Sequence, residues 1–211
     1  ARILAVCLQT PGALPPLAWG GTGEAKTQAL ARIARDLGLF FRPVIPAVRT
    51  PETFAWEIEN VPGDGVRVAA PGFVRDIRAA LDRGAPGAVL FLDELSCAPP
   101  ATQSACLTGV LEGRWGDHQL PATVRGGAAA NPPDQAAGGW DLADPMVARF
   151  VHLWWPGPTV EEFGDWLLGG PGLTADIPRL ETAAWDAAWP AARGLVAAYL
   201  GRFPGQLRES P

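Results

Sequence analysis

The chain has 211 residues, 48% of them apolar and 18% charged, a composition that can bury a core and excludes a disordered chain. Its net charge of −5 argues against a broad nucleic-acid or anionic-membrane footprint, and no apolar run approaches the ~18 residues of a membrane span. Three cysteines without C-x-x-C spacing fit a reducing, cytoplasmic setting.

Ile3 to Leu8 is apolar but short and has no charged flank, so it reads poorly as a signal peptide. Leu14 to Trp19 is a short apolar run in which Pro15 and Pro16 are tolerable only near a strand start. A glycine loop follows, and Thr27 to Leu37 then places Leu30, Ile33, Ala34 and Leu37 at helical spacing until Gly38 stops it. Phe40 to Val48 predicts a second strand. Glu57 to Asn60 and Val66 to Ala69 predict two short strands around the turn Pro62-Gly63-Asp64-Gly65. A helix is predicted from Pro71 to Arg83, with Pro71 in its first turn.

Ala88 to Leu92 is apolar without alternation, the pattern of a parallel strand covered on both faces, and it ends in Asp93-Glu94. Pro99 to Glu112 predicts a helix, Gly113 to Leu120 a small hairpin, and Ala122 to Ala130 a strand running into Asn131-Pro132-Pro133. Asp141 to Phe150 predicts a short helix before a strand at Val151 to Trp154. Past Pro156 only helices are predicted, at Thr159 to Leu168 and Thr182 to Arg202. Strands alternating with helices, then helices alone, describe an α/β domain over 1–156 followed by a helical lid over 157–211.

Lys26 is the one lysine among seventeen basic residues, so this position asks for an ammonium and not a guanidinium. Gly20-Gly21-Thr22-Gly23-Glu24-Ala25-Lys26-Thr27 matches the P-loop pattern G-x-x-x-x-G-K-[ST], with Ala25 in place of the second glycine. In such a loop the backbone N–H groups wrap phosphates, the lysine balances transferred charge and the Thr27 hydroxyl ligates Mg²⁺. The Ala25 methyl is a penalty if the backbone there needs a positive φ and a small matter if it is helical. The bland alternative is a glycine-rich turn beside a chance lysine, and the strand before and helix after speak against it.

A carboxylate ending a parallel strand faces the same crevice as a P-loop. Asp93 would then hold Mg²⁺ through water, and Glu94 would orient or deprotonate the attacking water; otherwise the pair is an exposed acidic strand end. Asn131, ending the next apolar strand, could bond a γ-phosphate or that water, although Asn-Pro alone is a loop signal. His118 and His152 lack partners at metal-ligand spacing and read as structural. The nine tryptophans read as core and junction packing, with one available to stack on adenine.

Taken in order, these motifs resemble MoxR-type AAA+ ATPases. Leu92-Asp93-Glu94-Leu95 with Ala98-Pro99-Pro100-Ala101-Thr102-Gln103 is similar to that family's "DE…APP..Q" stretch. Ala129-Ala130-Asn131-Pro132-Pro133-Asp134-Gln135 resembles its sensor 1, and Asp144 to Phe150 its "DRF" arginine-finger segment. The resemblance runs from about Trp19 to Trp155. It implies a P-loop AAA+ three-layer parallel-sheet domain with a small all-helical lid. Glu57 to Ala69 would be the hairpin this clade inserts, and Arg114 to Leu120 the hairpin before sensor 1.

The resemblance further implies ATP hydrolysis with Mg²⁺ in a hexameric ring, Arg149 reaching a neighbour's site, and remodelling of a partner protein, often one with a von Willebrand factor A domain. The bland reading of Arg149 is an ion pair with Asp144 or Asp141. Departures are Ala25, the Gly126-Gly127 pair in a strand usually β-branched, and the lack of a clear sensor 2 arginine, for which Arg193 is the candidate in a lid expected to be incomplete. Two rivals are an ATP-binding assembly module with little hydrolysis and a P-loop small-molecule kinase.

Overall fold

The computed structural model describes residues 2–10, 12–132 and 139–168. Compactness divides the chain into Ala1–Pro178 and Arg179–Pro211, and every described residue belongs to the first unit. The expected helix at Thr182 to Arg202, with Arg193, lies outside the described residues, as does part of the segment after Asn131.

Five parallel strands form the sheet: β1 (Pro16–Trp19), β2 (Phe40–Val44), β5 (Ala88–Leu92), β8 (Val124–Ala130) and β9 (Val151–Trp154), in the spatial order β2-β5-β8-β1-β9. The helix α1 (Arg2–Gln9) precedes β1, and between the strands run α2 (Lys26–Asp36), the antiparallel hairpin β3 (Glu57–Val61) and β4 (Gly65–Ala69), α3 (Gly72–Asp82), α4 (Pro100–Glu112), the hairpin β6 (Arg114–Trp115) and β7 (His118–Gln119), and α5 (Asp144–Val147). The helix α6 (Val160–Leu167) follows the last strand.

Strand alternation divides the core into two layers. Val89, Phe91, Ala18 and Ala129 pack with Leu4, Ala5 and Leu8 of α1 and Leu30 and Ile33 of α2. Their neighbours Leu90, Leu92, Leu17, Ala128 and Ala130 turn the other way, onto Phe73, Val74 and Ile77 of α3 and Cys106 of α4. All five residues of β5 are therefore buried, as its unbroken apolar run requires. The Gly126-Gly127 pair does not interrupt β8. Leu90 and Phe91 pair with it in register, and Gly127 lies beside Phe91 and Leu30.

Three elements differ from the sequence expectation. α1 had no predicted counterpart, and its Leu4, Ala5 and Leu8 are buried. β2 stops at Val44 because Pro46, which has no N–H for the ladder, opens a 3₁₀ turn over Pro46–Val48. α5 is four residues long instead of ten. Gln103, buried in α4, accepts from the Ala143 N–H (3.2 Å) and donates to the Asp141 carbonyl (3.4 Å), holding 141–143 outside the helix. The tryptophans also divide: Trp115 and Trp155 are buried, whereas Trp56, Trp140 and Trp154 are exposed.

Trp115 closes an aromatic cluster with Phe54 and Phe73, at centroid distances of 5.8 and 5.1 Å. A methyl at Gly109 would come within 2.4 Å of the Trp115 ring, so α4 can lie on β6 only with glycine there. Gly109→Ala is expected to destabilise the protein by about 1–3 kcal/mol despite alanine's better helix propensity, a change read by urea unfolding.

Candidate functional site

The spatial order of the sheet decides what meets at its C-terminal edge. β8 lies between β1 and β5, so Asn131 emerges between the glycine loop that follows β1 and the acidic pair that follows β5. Such an edge is where parallel α/β sheets bind ligands. A cleft of roughly 660 Å³ opens there, running from the loop past Asp93, Glu94 and Asn131 to Glu162 and Phe163 at α6. That volume suits a nucleotide-sized ligand.

Lys26 begins α2, and only 9% of it is exposed. Its ammonium donates to the carbonyls of Gly20 (2.8 Å) and Gly21 (2.7 Å) and to Oδ1 of Asn131 (3.1 Å). Three acceptors for three ammonium protons leave the buried charge fully hydrogen-bonded. Burial is the largest influence on its pKa and lowers it from the ordinary 10.5, with Glu24, Asp93 and Glu94 pulling the other way. The Asn131 amide also donates to the Thr22 hydroxyl at 3.4 Å, so one side chain touches both halves of the loop.

The Thr27 hydroxyl donates to Oδ2 of Asp93 at 2.5 Å. A hydroxyl and a carboxylate converging in this way are the hard oxygen donors that Mg²⁺ takes, and the pair fits that ion. Glu94 follows with an exposed side chain lining the same cleft.

The backbone of the site is strained where the chemistry is. Ala25 (φ 58°) and Glu94 (φ 54°) are the only non-glycine residues with positive φ among those described. Each costs about 1–2 kcal/mol in a left-handed conformation, and such costs persist where the surroundings over-determine them. The condition attached to Ala25 is thereby met: its methyl sits where glycine would be unstrained.

Sequence reasoning missed the side chains that hold the loop's shape. Glu24 accepts from the Gly21 N–H at 2.6 Å, and Trp155 Nε1 donates to the Glu24 carbonyl at 3.0 Å. A methyl at Gly20 would meet Glu24 Oε2 at 2.5 Å and the Trp155 carbonyl at 2.6 Å, so the first loop glycine is required by packing. Thr159 and Glu162 form a reciprocal cap on α6, a T-x-x-E signal that was legible in the sequence.

Arg149 is not gathered into this constellation. Its guanidinium donates to the Pro145 carbonyl; among the described residues its buried Nε has no hydrogen-bond partner, and it pairs with neither Asp141 nor Asp144. The bland ion-pair reading is therefore not what the structure shows. His152, in contrast, is structural as expected: it accepts from Trp19 Nε1 at 2.8 Å, and its Nε2 lies 2.9 Å from the Val147 carbonyl.

The crystal structure of a Cytophaga hutchinsonii protein, provisionally named an ATPase, superposes on this chain with a TM-score of 0.55 at 20% identity, over 76% of the chain. The fold is shared. At that identity the likeness speaks for the mixed α/β architecture with its five-stranded parallel sheet, and 720 solved chains resemble this one. The chain spans 46% of that protein's length. No protein-family model matches the chain, and no curated protein does.

Because the Lys26 pKa is lowered on folding, the native state carries a cost for burying the charge at pH values below its folded pKa. Stability linked to this group is fully present above the ordinary 10.5 and is lost as pH falls through the folded pKa. The stability difference between wild type and Lys26→Met, followed by urea unfolding, should therefore move in favour of wild type as pH rises toward 10.5. A difference that stays flat would exclude the shift.

Proposed function

We propose that the chain is a MoxR-like AAA+ ATPase that binds ATP with Mg²⁺ and hydrolyses it at subunit interfaces of a ring, most simply a hexamer, to remodel a partner protein. The observation that carries the reading is Lys26, held buried between the loop carbonyls and Asn131, beside the Thr27–Asp93 pair. Segments 1–156 and 157–211 would be the nucleotide-binding domain and its lid. The fold shared with the Cytophaga hutchinsonii protein supports the nucleotide use, and the motif order supports the family. A partner carrying a von Willebrand factor A domain and a cytoplasmic setting belong to the same proposal. The chain has no described helix long and apolar enough to cross a membrane.

In this reading the N–H groups of Gly23 to Thr27 face the phosphates, and the Lys26 ammonium exchanges its loop carbonyls for phosphate oxygens. Thr27 and Asp93 would hold Mg²⁺, which when bound offsets negative charge on the phosphates. Glu94 takes a proton from water as the water oxygen attacks the γ-phosphorus and the bond to the β–γ bridging oxygen breaks. Asn131 orients that water, and Lys26 with a neighbour's Arg149 stabilises the charge that develops. Glu94 lines the cleft from its αL turn, and among the described residues its carboxylate has no competing hydrogen-bond partner, as a general base requires.

The left-handed Ala25 favours a second reading, an ATP-binding assembly module that hydrolyses slowly, because a methyl stands where the loop closes. Turnover separates the two. Glu94→Gln is expected to lower kcat by about 10²–10⁴-fold while ATP still binds, measured by steady-state hydrolysis and nucleotide retention. Normal turnover would remove Glu94 from the mechanism. Specific activity should also rise with protein concentration as rings form and lose that dependence in Arg149→Ala. A rate independent of concentration would count against a finger supplied in trans.

A further inference from the structure

The buried serine two residues past Glu94 belongs to no motif, yet it touches the site more closely than several residues that do. Ser96 is 3% exposed and lies in the 3₁₀ turn Leu95–Cys97. Its hydroxyl accepts from the Asn131 N–H at 3.1 Å and lies 3.2 Å from the Asn131 carbonyl, to which it donates. One hydroxyl thus serves both main-chain groups of the residue at which β8 has ended. The Ser96 carbonyl in turn accepts from the Trp140 N–H at 2.7 Å, which fixes the serine from its other side.

We infer that Ser96 is a positioning residue that sets the distance between the acidic turn and Asn131. The Asn131 side chain reaches Lys26 at 3.1 Å and Thr22 at 3.4 Å, already at the long end of hydrogen bonding. Any drift of its backbone breaks those bonds. Beyond Ala130 the sheet no longer holds that backbone, and Ser96 is the side chain that does. The same serine is tethered two residues after Glu94, whose left-handed backbone fixes where its carboxylate starts. Ser96 therefore locks together two groups that must flank one water, and displacement of such groups by about 1 Å can cost on the order of 10²-fold in rate. When nucleotide binds, phosphate oxygens take over the Lys26 ammonium from its loop carbonyls, and Asn131 is one contact beside them, so nucleotide affinity depends on this lock far less than turnover does.

The kinetic part of this inference rests on the ATPase reading, and the test separates the two. Ser96→Ala should lower kcat about tenfold and leave the Kd for ATP within about twofold. In an Asn131→Ala background it should have no further effect, since the distance that Ser96 sets then has no Asn131 amide at one end. Unchanged kcat, multiplicative effects in the double variant, or a Kd that weakens in step with kcat would each overturn the inference. If the wild-type protein turns over no ATP, the ATPase reading fails by itself and Ser96 is judged by nuclear magnetic resonance. The Asn131 side-chain amide pair, assigned by its loss in Asn131→Ala, should move in Ser96→Ala; an unmoved pair overturns the lock. Should Ser96→Ala not fold, the wild-type protein decides: the Asn131 backbone amide must be protected from hydrogen exchange like that of Ala130, and rapid exchange refutes it.

Discussion

An ammonium buried among carbonyls and an amide is the constraint on which this structure depends. Lys26 cannot leave water without three acceptors, and the chain supplies them from Gly20, Gly21 and Asn131. Two belong to the loop after β1 and the third to the end of β8. The sheet order that sets β8 beside β1 is thus a condition for burying the charge. Ala128, Ala129 and Ala130 pair with Leu17, Ala18 and Trp19, which brings the end of β8 beside the start of the loop, and Gly20 lets Glu24 and the Trp155 carbonyl close over it.

The rest of the site is arranged around that charge. Asp93, Glu24 and Glu94 raise the ammonium's pKa while burial lowers it, so the three carboxylates offset part of the cost of desolvation. Strain is distributed accordingly. Ala25 immediately precedes Lys26 and Glu94 immediately follows Asp93, and these are the two described places where a side chain tolerates a left-handed backbone. Strain at a single loop could be incidental; strain flanking the lysine and the acidic pair marks a geometry held for a purpose.

Much of this was legible in the residues. The unbroken apolarity of Ala88 to Leu92 announces a strand covered on both faces, and in a parallel sheet its acidic end lies at the same edge as the glycine loop. The hairpin at Pro62 to Gly65 and the stop at Gly38 follow from local turn chemistry, which acts within a few residues. What was not legible depends on partners distant in sequence. The ten-residue helix expected around Asp144 shrinks to four because Gln103, some forty positions away, takes the hydrogen bonds of 141–143. Ser96 and Trp155 carry no local signal, since a serine or a tryptophan shows its role only once Asn131 and Glu24 are beside it. The brace from Glu24 to Gly21 was hidden in a motif position that accepts almost any side chain.

Whether Lys26 meets phosphate can be read at a single side chain, because it is the chain's one lysine. Lys26 can be acylated with an amine-reactive ester and quantified by mass spectrometry against the α-amino group, with and without nucleotide and Mg²⁺. If the loop cradles a β-phosphate, ATP and ADP slow acylation of Lys26 severalfold, while AMP leaves it as in the free protein. Acylation at the same rate with and without ATP, at nucleotide concentrations up to several millimolar, would contradict a phosphate-binding Lys26 and the nucleotide site with it.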